Sequence, residues 1–265
     1  ATVSAFTNER WTLARRPDAS GFRSSDLKFE QQEIEESSLA EDEVLVEVDL
    51  LSIEAFYRTT LDEEAYHGST AIGGLVPALG LGKVIASKSR KLKPGTRVVG
   101  MLGAQTVAKV QAAALQPAAA LPGTQPTDAL GRMGISGLTA WIGICAVLGP
   151  PKRNQVVVIS AAAGAVGSLA AQIAKARGAK VLGVAGGEAK CKYLTERLGL
   201  DGAIDYKSAS RSLTEQLDQL APDGIDFFFD NVGGPILDAV LTRLRQRARV
   251  VVCGGIHHYN AGHQN

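Results

Sequence analysis

At 265 residues, 45% apolar and 21% charged, the chain is long enough to bury a sizeable core as one or two soluble domains. A formal net charge of +1 gives no electrostatic basis for binding nucleic acid or an anionic membrane surface, and no apolar run is long enough for a membrane span. The opening residues Ala1 to Thr7 carry no secretory pattern, and Cys145, Cys191 and Cys253 are scattered, so a reducing, cytoplasmic location is expected.

The first hundred residues read as β-rich. Glu43 to Leu50 alternates, with Val44, Val46, Val48 and Leu50 on one face and Glu43, Glu47 and Asp49 on the other, the pattern of a half-buried strand. Gly80 to Ala86 is a second strand with glycines for close backbone approach. Lys93-Pro-Gly-Thr-Arg-Val-Val-Gly100 is a Pro-Gly turn entering a third. Short strands and repeated turns suggest a small barrel or sandwich. Residues 101–127 are rich in Ala, Gln and Pro and read as a bridge between two domains, with the boundary near Gln125. Asp128 to Leu148 is apolar and broken by glycine, which fits two helical pieces. Its small residues near Ser136 to Ala140 serve either close approach by another group or helix–helix packing.

From Gln155 onward strands and helices alternate. Gln155 to Ser160 is a β-branched apolar run suited to a parallel strand buried on both faces. It enters the small-residue turn Ala161-Ala-Ala-Gly-Ala-Val-Gly167. Val166, Leu169, Ala170, Ile173 and Ala174 then recur at helical spacing, with Gly178 placed as a C-terminal cap, and Lys180 to Ala185 makes the next strand. In such a βαβ unit Gly164 allows a tight reversal, Gly167 lets helix and strand close up, and the helix N-terminus offers free N–H groups to a pyrophosphate. Ala162 stands where the dinucleotide fingerprint G-x-G-x-x-G has its first glycine, so the strand–turn–helix context carries the reading more than the turn does.

The exit of the second strand bears on which dinucleotide is bound. A carboxylate there would serve the ribose 2′-hydroxyl of NAD. The chain reads Ala185-Gly-Gly-Glu-Ala-Lys190 instead: Gly186 and Gly187 leave room for a 2′-phosphate and Lys190 supplies charge. NADP(H) is therefore favoured over NAD, although a solvated surface lysine is an equally good reading of Lys190 from spacing alone. The alternation continues through Gly202 to Tyr206, a helix over Leu213, Leu217 and Leu220, a strand over Ile225 to Asp230, a helical face over Ile236, Leu237, Val240, Leu241 and Leu244, and a strand over Arg249 to Cys253. The run Arg243, Arg245, Arg247, Arg249 reads as a helix C-terminus and its exit. This order makes a doubly wound parallel sheet whose glycine-lined exits, Gly164–Gly167, Asn231–Gly234 and Gly254–Tyr259, share one rim.

A catalytic zinc would need Cys, His and acid ligands in the first half, which has His67 but no cysteine; His257 and His258 are adjacent and lack a partner. No metal is expected. Gly-x-Ser-x-Gly is also absent, so the chemistry is expected from a cofactor.

Five motifs in order, Ala161 to Ser168, Ala185 to Lys190, Asp205-Tyr-Lys207, Phe229 to Gly234 and Cys253 to Asn260, resemble the zinc-independent medium-chain reductases. The branch they are most similar to is leukotriene 12-hydroxydehydrogenase/prostaglandin reductase and the plant alkenal double-bond reductases. Lys93 to Gly100 and Gly134 to Trp141 match that pattern too, and the resemblance is strongest from Met133 to Asn260. It implies an α/β fold: a doubly wound parallel (Rossmann) sheet in an NADP-binding domain at 125–265, preceded by a β-rich GroES-like barrel at 1–124. It implies a cytosolic homodimer using NADPH. Carried over by motif, Gly164, Ala165, Val166 and Gly167 cradle the pyrophosphate beside Gly186. Lys190 and Tyr206 contact the adenosine 2′-phosphate. Asn231, Cys253, Gly254, Gly255, Ile256, His257 and Tyr259 line the ribose and nicotinamide. Tyr57, in Glu54-Ala-Phe-Tyr-Arg58, matches a tyrosine lining the substrate cleft; a half-buried aromatic of the barrel is the other reading.

The sequence departs from the family in two places. The family chain continues past the Tyr-Asn of its last motif and returns to the first domain, whereas this sequence stops at Asn265. Either the chain is truncated, which leaves the nicotinamide pocket incompletely walled, or the sequence omits a tail. The stretch 101–127 also matches only loosely. The expected activity is reduction of the C=C bond of α,β-unsaturated aldehydes or ketones by hydride transfer to the β-carbon; the alternatives are a quinone reductase of the same superfamily and a nucleotide-binding protein without catalysis.

Overall fold

A computed structural model describes residues 4–18, 20–118 and 122–260. The chain divides into two compact units, one running to Gly131 and joined by Tyr259 and Asn260, the other spanning Arg132–His258.

The first unit is antiparallel. Strands β1 (Ala5–Leu13) and β2 (Leu27–Glu35) form a two-stranded sheet in unbroken register from Ala5 opposite Glu35 to Leu13 opposite Leu27. Strands β3 (Glu43–Leu51), β4 (Leu79–Ser87), β5 (Arg97–Met101), β6 (Val107–Gln111) and β7 (Leu115–Pro117) form a five-stranded sheet in the order β6-β3-β4-β5-β7. Backbone bonds from Trp11 N to Ala104 O and from Thr106 N to Glu9 O, both 2.9 Å, tie the first sheet to the second.

Two sequence expectations change here. Residues 101–127 are not simply a bridge: they supply β6 and β7, because Val107, Ala108, Ala112 and Leu115 are apolar positions that the sheet buries. Strand β3 is also not strictly two-faced. Val44 and Val46 pack with Val84, Val98 and Leu115, while Leu45, on the supposed outer face, is fully buried against Ile34, Leu39, Ala86 and Val107. Material from β2 covers that second face, so alternation fails where both faces are dry. Further along, Leu50 is exposed.

The second unit opens with α1 (Ile135–Trp141), which continues as a wider π-type turn over Ile142–Val147. There follow β8 (Val156–Ile159), α2 (Ala165–Ala176), β9 (Lys180–Ala185), α3 (Glu188–Lys192), β10 (Gly202–Asp205), α4 (Leu213–Leu220), β11 (Ile225–Asp230), α5 (Gly234–Leu241) and β12 (Leu244–Val252). The five strands are all parallel and ordered β10-β9-β8-β11-β12. Successive strand residues feed opposite cores. Val157, Ile159, Phe227 and Phe229 pack on one side, and Val156, Val158, Ile225 and Phe228 on the other. That is why these strands read as continuous apolar runs. Helix α2 ends as expected, with Gly178 at φ 82. Helix α4 starts on a capping box in which Glu215 N donates to Ser212 Oγ and Ser212 N donates to Glu215 Oε2.

The arginine run corrects a third expectation. Helix α5 stops at Leu241, and Arg245, Arg247 and Arg249 lie on β12 rather than on a helix end. Spacing by two is a strand period, and the side chains find separate partners. Arg243 bonds both oxygens of Asp218, Arg245 reaches Asp226 at 3.1 Å, and Arg249 donates to the Leu148 carbonyl.

The small residues near α1 serve close packing. A Cβ at Gly137 would stand 1.9 Å from the Arg132 carbonyl oxygen, and one at Gly143 would stand 2.3 Å from Cε2 of the fully buried Phe229. Substituting Gly143→Ala should therefore overpack this core and lower the urea-unfolding free energy by about 1–3 kcal/mol.

Candidate functional site

In a doubly wound sheet the ligand crevice lies beyond the carboxyl ends of the strands, where the strand order reverses. Here that point is between β8 and β11. The exits of these strands are joined by side chains. Ser160, just past β8, donates from Oγ to Asp230 Oδ1 at 2.7 Å. The same Oγ accepts the Asn231 N–H at 2.7 Å, and the Asn231 side-chain amide donates to the Ser160 carbonyl at 2.7 Å. Asp230 has no solvent exposure, and its carboxylate also accepts the backbone N–H groups of Val232 and Gly233 at 3.0 Å.

The neighbouring exits are tied in the same way. The Asp230 carbonyl accepts from Cys253 N and Gly254 N, and His257 N donates to the Val232 carbonyl, so the turn after β12 is anchored on the turn after β11. On the other side Ala162 N donates to Val184 O, and Tyr206 N donates to Ala185 O. Gly164, Ala165, Val166, Gly167, Gly186, Asn231, Cys253, Gly254, Gly255, Ile256 and His257 therefore all belong to one rim of the second unit. Burial, with Asp230 adding to it, pushes the Cys253 thiol up, so it stays protonated there. The rings of His257 and His258 meet edge-on at 4.9 Å, with the His257 ring lying on Gly234. Tyr57 and Tyr259 group with the first unit instead.

The turn after β8 is shaped by backbone strain. Ala161 is in the left-handed region at φ 47, rare for a residue with a Cβ. Its carbonyl accepts Gly164 N and points into the first turn of α2, where a Cβ at Gly167 would stand 2.3 Å from that oxygen. Glycine at 167 is thus required by helix–turn contact, as the sequence suggests. Gly164 and Ala165, at the start of α2, are exposed and carry minimal side chains. The N–H groups of a helix's first turn have no partner inside the helix and lie at its positive end, so this opening suits a pyrophosphate.

The exit of β9 sets the charge. Gly187 has φ 93, and a Cβ there would meet nothing within 4 Å, so the space beside it is open. Lys192 is paired with Glu188 at 2.8 Å, and Lys207 stands 5.8 Å from the centre of the Tyr206 ring. Lys190 is exposed and, among the described residues, has no ion-pair partner. The Asp205 carboxylate at the end of the neighbouring strand is committed elsewhere: its Oδ1 accepts Gly187 N at 2.8 Å and Lys207 N at 2.9 Å. The residues present fit a 2′-phosphorylated dinucleotide.

Ser160 and Asp230 were not assigned a role from sequence. The available signal is a polar residue closing each of two neighbouring apolar runs, Val-Val-Val-Ile-Ser and Phe-Phe-Phe-Asp. Among the described residues no group of three or more His, Cys, Asp or Glu could hold a metal ion, and no helix is long and apolar enough to cross a membrane.

Residues 165–263 match the family described as zinc-binding dehydrogenase, and residues 9–118 match the N-terminal domain of oxidoreductase. The chain is 35% identical to the NADPH-dependent curcumin reductase of Escherichia coli over 255 residues, covering 96% of this chain and 72% of that protein. It is 37% identical to prostaglandin reductase 1 of Rattus norvegicus, covering 94% of this chain and 73% of the relative. It belongs to the zinc-independent medium-chain dehydrogenases/reductases. Within this family, the crystal structure of CurA in complex with NADPH from Vibrio vulnificus superposes with a TM-score of 0.87 at 31% identity, over 97% of this chain and 74% of that one. The family places the chain among NADPH-dependent oxidoreductases.

The Asp230 cluster should be a stability determinant of the rim. Ser160→Ala removes one donor to a buried carboxylate and should cost about 1–3 kcal/mol in urea unfolding. Asp230→Ala strands several buried donors at once and should cost more, about 3–5 kcal/mol.

Proposed function

We propose that this chain reduces the carbon–carbon double bond of α,β-unsaturated aldehydes and ketones at the expense of NADPH. The observation that carries the nucleotide assignment is the β9 exit: two glycines and, among the described residues, no free carboxylate and no ion-pair partner for Lys190. The substrate class follows the names of the relatives, curcumin reductase, prostaglandin reductase and 2-alkenal reductase.

In this reading the first-turn N–H groups of α2 bind the pyrophosphate, and Lys190 with Tyr206 binds the 2′-phosphate. Asn231, held to the Ser160 carbonyl, and the segment Cys253 to Tyr259 line the ribose and nicotinamide. The bound nucleotide supplies the hydride that the β-carbon of the conjugated system receives. Negative charge then develops on the substrate's carbonyl oxygen, where a hydroxyl donor lowers the barrier. We assign that donor role to Tyr57. Its oxygen accepts the Leu79 N–H at 2.8 Å, which leaves its own proton to donate, towards Met101 Sδ at 4.0 Å or towards a substrate. Burial pushes the Tyr57 hydroxyl above its ordinary range, with the Leu79 bond opposing this, so it keeps its proton at neutral pH. The homodimer and cytosolic location that the family implies complete the proposal.

The activity is tested by following loss of the near-ultraviolet absorbance of NADPH with a panel of enals, enones and quinones. Turnover of enals or enones ahead of quinones is expected; no turnover of any conjugated carbonyl would sink the proposal. Lys190→Ala should weaken NADPH by about threefold to fivefold and leave NADH nearly unchanged, since an exposed ion pair contributes up to about 1 kcal/mol. Tyr57→Phe should lower kcat by about tenfold to a hundredfold with the Kd for NADPH unchanged, the signature of a contact made mainly in the transition state. Because the Tyr57 pKa is raised, its contribution should persist through neutral pH and fall away only above the ordinary tyrosine range.

A further inference from the structure

Lys190 is exposed, and an ammonium on a flexible stem defines little geometry by itself. Rigidity at this end of the rim comes from a residue that the function proposed above leaves unassigned. Strand β9 turns out through Gly186 and Gly187, and β10 turns out through Tyr206 and Lys207. A single oxygen, Asp205 Oδ1, accepts the N–H of Gly187 at 2.8 Å and the N–H of Lys207 at 2.9 Å. It therefore pins one turn to the other. Asp205 is itself clamped. Its N–H donates to Gln216 Oε1 at 2.9 Å, and its carbonyl accepts from Gln216 Nε2 at 2.9 Å; Gln216 is a buried residue of α4. Within the pinned pair of turns the Tyr206 ring lies flat on Gly186, where a Cβ would stand 2.8 Å from ring Cζ. Lys207 stands by the same ring.

We propose that Asp205 is the positioning residue of the 2′-phosphate site, which rests on the phosphate assignment of Lys190 and Tyr206. It fixes the Gly186–Gly187 turn against the Tyr206–Lys207 turn, so that glycine floor, tyrosine wall and lysine stand in place before the nucleotide arrives. A carboxylate this close to a phosphate would oppose binding if its charge were unmet. Here the Gly187 N–H first, then the Lys207 N–H, hold the Asp205 carboxyl below the usual carboxylate range, and the Lys207 ammonium adds to this. The Asp205 carboxylate at the end of β10 is thus spent on two backbone N–H groups and builds the floor for the phosphorylated cofactor.

Two substitutions separate geometry from charge. Asp205→Asn keeps an acceptor oxygen at the same reach and removes the charge. Asp205→Glu keeps the charge and moves the oxygen outward by a methylene. Calorimetric titration with NADP+ and NAD+ gives the Kd of each, and hydrogen exchange of the nucleotide-free protein reads the Gly187 and Lys207 amides directly. Asp205→Glu is expected to weaken NADP+ about tenfold while leaving NAD+ within about twofold, and to speed exchange at both amides, consistent with the loss of one or two hydrogen bonds. Asp205→Asn is expected to match the parent in both readouts. The inference is overturned if Asp205→Glu leaves both readouts unchanged, or if Asp205→Asn loses NADP+ selectivity while Asp205→Glu retains it. Should Asp205→Glu fail to fold, Asp205→Ser takes its place: selective weakening of NADP+ with faster exchange at both amides is expected, and unchanged NADP+ affinity with unchanged exchange overturns the inference. Lys190→Ala separates this failure from that of the underlying assignment. Equal loss of both nucleotides removes the phosphate site itself, whereas selective loss of NADP+ with a silent Asp205→Glu removes only the role of Asp205.

Discussion

The carboxylate of Asp230 is cut off from solvent, and a buried charge persists only where donors surround it. That requirement organises the second unit. Three donors come from two strand exits, the Ser160 hydroxyl after β8 and the backbone N–H groups of Val232 and Gly233 after β11. The Asp230 carbonyl meanwhile holds the chain leaving β12 through Cys253 and Gly254. Loops that leave a parallel sheet are ordinarily its most mobile part. Here they are cross-linked by a network whose members cannot be removed singly without leaving another group unsatisfied. The cost of burying the charge is offset by a rim of fixed shape at the point where strand order reverses.

Two features on that rim only make sense together. Ala161 sits at φ 47, a conformation that costs about 1–3 kcal/mol for a residue with a Cβ. It is held there by the backbone bond from Ala162 to Val184 and by the Gly164 N–H on its own carbonyl. The strain turns that carbonyl into the base of α2, which is possible only because residue 167 has no Cβ. The first turn of α2 is thereby brought close to the sheet with its N–H groups clear of side chains. The glycine of the fingerprint is thus a packing requirement on the protein side and an opening on the ligand side.

Much of this was legible in the sequence. The parallel strands announced themselves as apolar runs because both faces are buried, and the order of turns brings the exits of β8, β11 and β12 to one edge, although Tyr259 groups with the first unit. What the sequence did not show falls into two classes. Leu45 and the arginine run escape local period, which does not say what lies on the far side: Leu45 faces Ile34 of the preceding strand, and Arg243 and Arg245 meet Asp218 and Asp226 from separate elements. The segment 101–127 looked featureless because Ala and Gln carry little pattern, yet Val107, Ala108, Ala112 and Leu115 suffice to seat two short strands. Ser160 closes a strand run, and Asp205 and Asp230 lie within motifs, yet none shows a role in the sequence, since a side chain that works by holding backbone N–H groups leaves no trace in spacing. Such residues become visible only once the partners' positions are known.

The division of labour at the β9 exit follows from magnitudes. An exposed ion pair contributes about 0–1 kcal/mol, because water screens the charge and the lysine stem loses rotamer freedom on binding. Choosing a phosphorylated over an unphosphorylated ribose by even a hundredfold takes about 2.7 kcal/mol, more than one such contact supplies. The remainder has to come from groups that are already in place: an open glycine turn that needs no clearing, and a tyrosine ring already seated. Preorganisation of this kind improves affinity by removing ordering costs rather than by adding contacts. It also explains why the acid of this edge faces inward. A carboxylate spent on two backbone N–H groups stiffens the socket and presents little free charge to a phosphate. On the proposed reading, selectivity is a property of the backbone first and of the lysine second.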